Sequence, residues 1–121
     1  MFEKKVWGEV WHIFHSQKAA VSHLQLKAGF RCSKHSHLER ANQFAVISGV
    51  VAIQVWDHDG VMHETVLRPG QSKIVPSSVL HRFRVLESGS MVEVYWPDIL
   101  NGKVSLTDID RVDEGGVDDN S

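Results

Sequence analysis

Two histidines stand one residue apart in GFRCSKHSHLERANQFAVISG, the stretch from Gly29 to Gly49. In an extended strand side chains alternate between faces, so His35 and His37 point the same way, with Cα atoms about 6.5–7 Å apart. Imidazoles on that spacing can converge on one cation with nitrogen–metal distances near 2.1 Å. Ser36 between them faces the other side. A third histidine, His81, lies in GQSKIVPSSVLH, at the start of a strand more than forty residues later. Spacing alone does not bring it to the first two. The chain has eight histidines, so an H-x-H pair by itself is weak evidence of a metal. His12, His15, His58 and His63 have no such context and are expected at exposed or edge positions. His23 falls in a predicted strand and is ambiguous.

The elements that must position these residues read as strands. Short runs rich in Val, Ile, Phe and Trp recur between turn residues. They predict strands at about 5–14, 20–27, 30–37, 42–48, 50–56, 61–68, 72–75, 80–87 and 90–96. Gly29, Gly49, Gly60, Pro69–Gly70 and Gly89 mark the turns, and DHDG between VVAIQVW and VMHETVL is a hairpin signal. No segment carries a helical run at i, i+3, i+4, i+7. Many short strands in one domain point to an all-β sandwich or barrel. No internal repeat is present.

At 121 residues the chain is expected to form one domain with its own core. The barrel is expected over residues 1–112, and an acidic, Gly-rich, mobile tail over 113–121. The segment VSLTDIDRV before that tail is a candidate to dock on the barrel. Net charge is −2, but six of the fifteen acids fall in the last fourteen residues, which leaves twelve bases against nine acids over 1–107. That excess is too mild for a nucleic-acid binder and compatible with a small anionic ligand. No apolar run approaches a membrane span, and Glu9 and His12 interrupt any signal-like stretch at the start. The single cysteine, Cys32, excludes an intrachain disulfide and reads as a buried, inert thiol. Cytoplasmic residence is the default expectation.

The glycines give the histidines a frame. The sequence resembles the cupin superfamily, whose first motif is usually G-x5-H-x-H-x3-4-E-x6-G. Gly29, His35, His37, Asn42 and Gly49 stand at those positions. The second motif is usually G-x5-P-x-G-x2-H-x3-N, matched here by Gly70, Pro76, Ser78, His81 and Val85. The two together cover residues 29–85. Within cupins the chain is most similar to the mannose-6-phosphate isomerase–like group, through KVWGEVWHIF, RANQFAVISG and PSSVLHRFRV. It also looks like short stand-alone cupins with the CS-x-H-x-H pattern. The resemblance implies a single-domain jelly-roll barrel (a double-stranded β-helix) with a metal near its centre. It also implies frequent dimers through an N-terminal strand or sheet edge.

Three positions depart from that pattern: Asn42 replaces the usual Glu, Ser78 a glycine, and Val85 an Asn. Strand parity puts Asn42 on one face with Phe44, Val46 and Ser48, opposite Gln43, Ala45 and Ile47. An inward Asn42 offers an uncharged amide oxygen. Either it joins His35, His37 and His81 as a ligand, or those three hold the metal with water. Neutral nitrogen donors favour Zn, Ni, Co, Fe, Mn or Cu over Mg or Ca.

Three functions fit such a site. The first is a sugar or sugar-phosphate isomerase or epimerase, in which a divalent cation polarises a carbonyl and a base moves the adjacent proton. Glu93 is the first candidate for the base and His23 the second, with Arg31, Lys34, Arg82 and Arg84 as candidate phosphate holders. Arg82 ranks last of these because its parity is opposite to that of His81. The second is a non-haem iron dioxygenase of the cupin type. The third is a non-catalytic barrel that binds a sugar or other small molecule, with Trp7, Trp11, Trp56 or Trp96 as stacking faces or, more simply, core and dimer-interface residues.

Overall fold

A computed structural model describes residues 2–118. Among them every regular element is a strand. They are β1 (Phe2–Lys5), β2 (Gly8–His15), β3 (Ala20–Leu26), β4 (Phe30–Arg31), β5 (His35–Ser36), β6 (Arg40–Trp56), β7 (Met62–Leu67), β8 (Ser72–Val75), β9 (His81–Pro97), β10 (Asp110–Arg111) and β11 (Gly116–Val117). All pairings are antiparallel. The all-β expectation therefore holds, and no helix among the described residues is long and apolar enough to cross a membrane.

Two long strands organise the barrel. β6 and β9 pair along almost their whole length, from Arg40 opposite Pro97 to Val55 opposite His81. Their register shifts three times between Val46 and Val51, around Gly49. Gly49 has φ of 80°, and a Cβ there would lie 2.5 Å from the Glu87 carbonyl oxygen. A Cβ on Gly89 would lie 2.2 Å from the Ser48 carbonyl oxygen. The two glycines let the paired strands bend together, so each strand serves both walls of the barrel. The predicted pairs 42–48 with 50–56, and 80–87 with 90–96, are thus two bent strands rather than four.

One wall runs β1-β2-β3, then the second half of β9, the first half of β6, and β8. The other is built from β11, β4, the first half of β9, the second half of β6, and β7. Between them lies the core, with Leu24, Phe44, Val46, Val51, Ile53, Val75, Phe83, Val85 and Met91 buried. Burial alternates along β3 and the start of β6 as the sequence parity requires: Asn42, Phe44 and Val46 point in, Gln43, Ala45 and Ile47 out. Ser48 leaves that pattern because the bend intervenes.

Three expectations need correction. The strand expected at 5–14 begins only at Gly8, because Val6 and Trp7 form the turn that reverses the chain between β1 and β2. The strand expected at 30–37 shrinks to two short pieces on either side of Cys32–Lys34. The segment from Asp113, expected as a mobile tail, is docked over its described part. Gly116–Val117 pairs with Phe30–Arg31, Asp113 accepts from the Lys34 amide at 2.6 Å, and Asp118 holds Arg84 at 2.8 Å. The physical reason is an otherwise open β4 edge flanked by cations that match the acids. Residues 119–121 of that tail lie outside the described residues.

Candidate metal centre

The two motifs meet. His35 on β5 pairs directly with His81 on β9, and His37 follows one residue beyond β5. Ring centroids are 4.6 Å apart for His35 and His81, 5.0 Å for His35 and His37, and 5.2 Å for His37 and His81. One ligand atom from each lies within 4.8 Å of those of the other two, and among the described residues these three alone form such a group. All three are buried.

Each ring is held by its back nitrogen. His35 Nδ1 donates to the Ser33 carbonyl at 2.7 Å, with the Ser33 hydroxyl 3.0 Å away. His37 Nδ1 donates to the Asp108 carbonyl at 2.7 Å, and His81 Nδ1 to the Val79 carbonyl at 2.8 Å. A carbonyl only accepts, so each imidazole carries its proton on Nδ1 and presents a bare Nε2. Nε2 of His37 and of His81 are buried with no hydrogen-bond partner. Orphaned, convergent nitrogens of this kind fit a transition-metal ion. Burial, first of all, drives the three imidazoles to the neutral form that a metal requires: His35 down to about 2, His37 to about 3 and His81 to about 4.

Asn42 is fully buried, and its Nδ2 donates to Glu93 Oε2 at 2.8 Å. Its Oδ1 has no partner. The carboxylate can only accept, which fixes the amide with its oxygen as the unused atom. Glu93 is buried too, and desolvation raises its carboxyl above the ordinary range despite the Tyr95 hydroxyl, the Arg40 charge and the Asn42 amide. Tyr95 lies edge-on to His37 at 5.7 Å, and the buried Arg40 guanidinium sits over the Tyr95 ring, 3.9 Å from its centroid. Arg40 in turn donates to the Ser105 carbonyl.

A cavity of about 530 Å³ opens beside this cluster, lined by His35, His37, Glu93 and Tyr95. Glu93, the first candidate base from the sequence, thus lines the same cavity as His35 and His37. His23 does not. It alternates with the inward Ser22 and Leu24 and so lies on the outer face of β3. Arg31, Lys34, Arg82 and Arg84 are also absent from the cavity wall. They are taken up by Asp113, the Trp56 ring, Gln54 and Asp118 respectively. Lys4, Lys5 and Arg111 line the cavity instead. Of the tryptophans, Trp7 lines it, packed edge-on to Phe83, whereas Trp11 is exposed. Cys32 is buried, accepts from the Phe83 amide, and has its thiol pushed up to about 12 by desolvation. It is the inert thiol expected.

Sequence reasoning missed two contributors. His12, expected at an edge, lines the cavity with one nitrogen 2.6 Å from Glu3 and the other 3.0 Å from Ser22. Asp108 holds His37 by its carbonyl and caps the Leu38 and Glu39 amides by its carboxylate. VSLTDIDRV was the one signal for the second, and nothing signalled the first. Ser78, where the cupin pattern has glycine, keeps the glycine-like φ of 62° and donates its amide to the His37 carbonyl.

The family model described as mannose-6-phosphate isomerase C-terminal matches residues 3–114. No curated protein matches the sequence at a significant level. Among solved structures, oxalate decarboxylase from Bacillus subtilis superposes with a TM-score of 0.77 at 20% identity, over 93% of this chain and 30% of that one. A structure of the same decarboxylase studied for its Mn(II) centres gives 0.70 at 18% identity, over 88% of this chain and 30% of that one. The chain thus spans about a third of the length of these neighbours. At this identity they establish the fold, a cupin jelly roll.

Proposed function

This chain belongs to the mannose-6-phosphate isomerase C-terminal family, and from that premise we propose that it is a metal-dependent isomerase or epimerase acting on a small hydroxy-carbonyl compound. The family's description makes sugars and sugar phosphates the first such compounds to assay. The observation that carries the reading is the buried Glu93 carboxyl, held by Asn42, in a cavity that it lines together with His35 and His37 of the three-histidine group. His35, His37 and His81 hold the metal, and the Asn42 amide oxygen is a fourth, neutral donor. Their chemistry suits Zn, Ni, Co, Fe, Mn or Cu. When bound, the cation supplies Lewis acidity that polarises a carbonyl and acidifies the adjacent C–H.

Glu93 is the base. Its raised pKa brings it closer to neutrality than an ordinary carboxylate. It removes the proton beside the carbonyl and returns one either to the neighbouring carbon, with the hydroxyl proton passing to the former carbonyl oxygen, or to the other face of the same carbon. No atom is gained or lost, and while Glu93 holds the proton it exchanges with solvent. The Asn42 amide and the Tyr95 hydroxyl orient it. The protein works as a homodimer, a reading supported by Trp11, Ile13 and Phe14, which stand exposed along β2.

Elemental analysis of protein purified without added metal tests the centre. About one divalent ion per chain is expected, and His35→Ala should lose it. If that variant keeps its metal, the metal-centre reading is wrong. Glu93→Gln should keep the metal and lose deuterium exchange into fructose 6-phosphate or mannose 6-phosphate. Retained exchange would remove Glu93 as the base. Bound iron with oxygen uptake would place the chain with the dioxygenase-type cupins instead.

A further inference from the structure

The cavity beside the histidines is poorly suited to a polyol. Several of its polar side chains are already engaged with one another. His12 uses its two nitrogens on Ser22 and Glu3, Ser33 bonds His35, and Glu93 takes the Asn42 amide. Much of the remaining wall is Trp7, Val10, Leu24, Phe44 and Phe83. Trp7 and Phe44 both set their rings edge-on to Phe83, making a continuous aromatic surface. A hydroxyl placed against it loses water and gains no partner, and the penalty accumulates with each one. A hydrocarbon or aromatic group placed there gains.

Charge narrows the class further. The three imidazoles and Asn42 are all neutral donors, where the cupin pattern would place one carboxylate among them. A divalent ion at the histidines therefore brings two positive charges into apolar surroundings. Glu93 is the buried carboxylate beside it. With the buried Arg40 guanidinium counted as well, net positive charge is left for the ligand to balance. At the rim Lys4, Lys5 and Arg111 face Glu3 and Glu114, and Glu3 is already held by His12 and Lys5. That edge attracts an anion.

We propose that the cavity takes a small anionic oxygen chelator with an apolar body, a 2-oxo or 2-hydroxy carboxylate bearing an aromatic or branched hydrocarbon group. Its two oxygens face the histidine end, and its body lies on the Trp7, Phe44 and Phe83 wall. The volume of about 530 Å³ is in the range of small-molecule sites. The inference rests on the metal centre proposed above and names the substrate for it, since such acids carry a carbonyl or hydroxyl beside an exchangeable C–H.

The test uses the full chain loaded with Co(II), whose visible spectrum reports the metal. Phenylpyruvate, pyruvate and mannose 6-phosphate are then titrated by calorimetry into the cobalt-loaded and metal-free protein. Phenylpyruvate should bind at least about tenfold more tightly than either competitor and shift the cobalt spectrum. Its affinity should fall at least about tenfold without cobalt. Equal or tighter binding of mannose 6-phosphate overturns the proposal, as does equal binding of pyruvate or no binding of any probe. Binding indifferent to cobalt overturns it too. In each of those outcomes a cobalt spectrum still leaves the metal centre standing. If cobalt does not bind at all, the centre and the ligand class fall together.

Discussion

Lowering the pH of the metal-free protein should unfold it through its three ligand histidines. Their folded-state pKa values are driven down from an ordinary 6.5 to about 2, 3 and 4, chiefly by burial. The unfolded chain takes up protons near 6.5, while the folded chain holds these rings neutral. Stability is therefore fully present above 6.5 and is lost as pH falls toward the folded values. Between about pH 7 and about pH 5 each ring contributes a loss of about 2 kcal/mol, or about 6 kcal/mol together. That is of the order of a whole domain's stability. Glu93 acts in the opposite sense, because its folded pKa is raised, so protonation relieves a buried charge and offsets part of the loss. The assay is denaturant unfolding of chelator-treated protein at steps across that interval. The midpoint should fall steeply, and His81→Gln should flatten the slope by about a third, one ring of the three. A midpoint that stays level or rises on acidification would refute neutral, buried imidazoles. Bound metal should shift the whole transition to lower pH, since protons and metal compete for the same nitrogens.

Three further outcomes follow from single side chains. Asn42→Ala removes the donor to Glu93 and should cost about 1–3 kcal/mol in chemical denaturation, while metal affinity, read by competition with a chelator, drops only if Oδ1 is a ligand. Ser78→Gly should stabilise the protein by about 1 kcal/mol, because a serine at φ of 62° sits where glycine rests without strain; an unchanged midpoint would show the strain to be absent. Trp11→Glu should shift the protein from dimer to monomer in sedimentation at micromolar concentration without changing its metal content, and an unshifted wild-type monomer would end the dimer reading.

The site was more legible than its surroundings, for a local reason. Both motifs depend on short spacings: glycines at bends, histidines two apart, and inward parity along a few residues. Those survive into the structure, down to Ser78 holding a glycine conformation without being glycine. Parity along β6 also placed Asn42 inside, next to Phe44. Long-range relations were not legible. Gly49 and Gly89 read as turns because sequence cannot tell a chain reversal from a shared bend of two paired strands. Glu93, named from the sequence as a candidate base, lines the same cavity as His35 and His37, whereas His23 lies on the outer face of β3, which no local signal fixed in advance. The four basic residues proposed for phosphate are consumed by partners up to 83 residues away in sequence, as in Arg31 bonding the Glu114 carbonyl. Such partners include the acidic segment that composition alone marked as mobile.

The carboxylate that the cupin pattern expects at position 42 has not left the site; it stands one strand over. Asn42 lies opposite Tyr95 on β9, and Glu93 is two residues before Tyr95 on the same inward face. The exchange changes what the charge does. A glutamate at position 42 would be a ligand, tied to the metal and unable to move a proton freely. Glu93 stays outside the three-histidine group and holds the amide instead. Its burial raises its proton affinity rather than spending it on coordination. A metal held by neutral donors alone would keep more of its charge for a bound oxygen. On the reading proposed above, moving the carboxylate by one strand separates the Lewis acid from the base. Restoring it with Asn42→Glu should tighten metal binding by at least about tenfold, the scale of one added ionic ligand. The same change should weaken any anionic chelator, because the charge that the ligand would neutralise is already met.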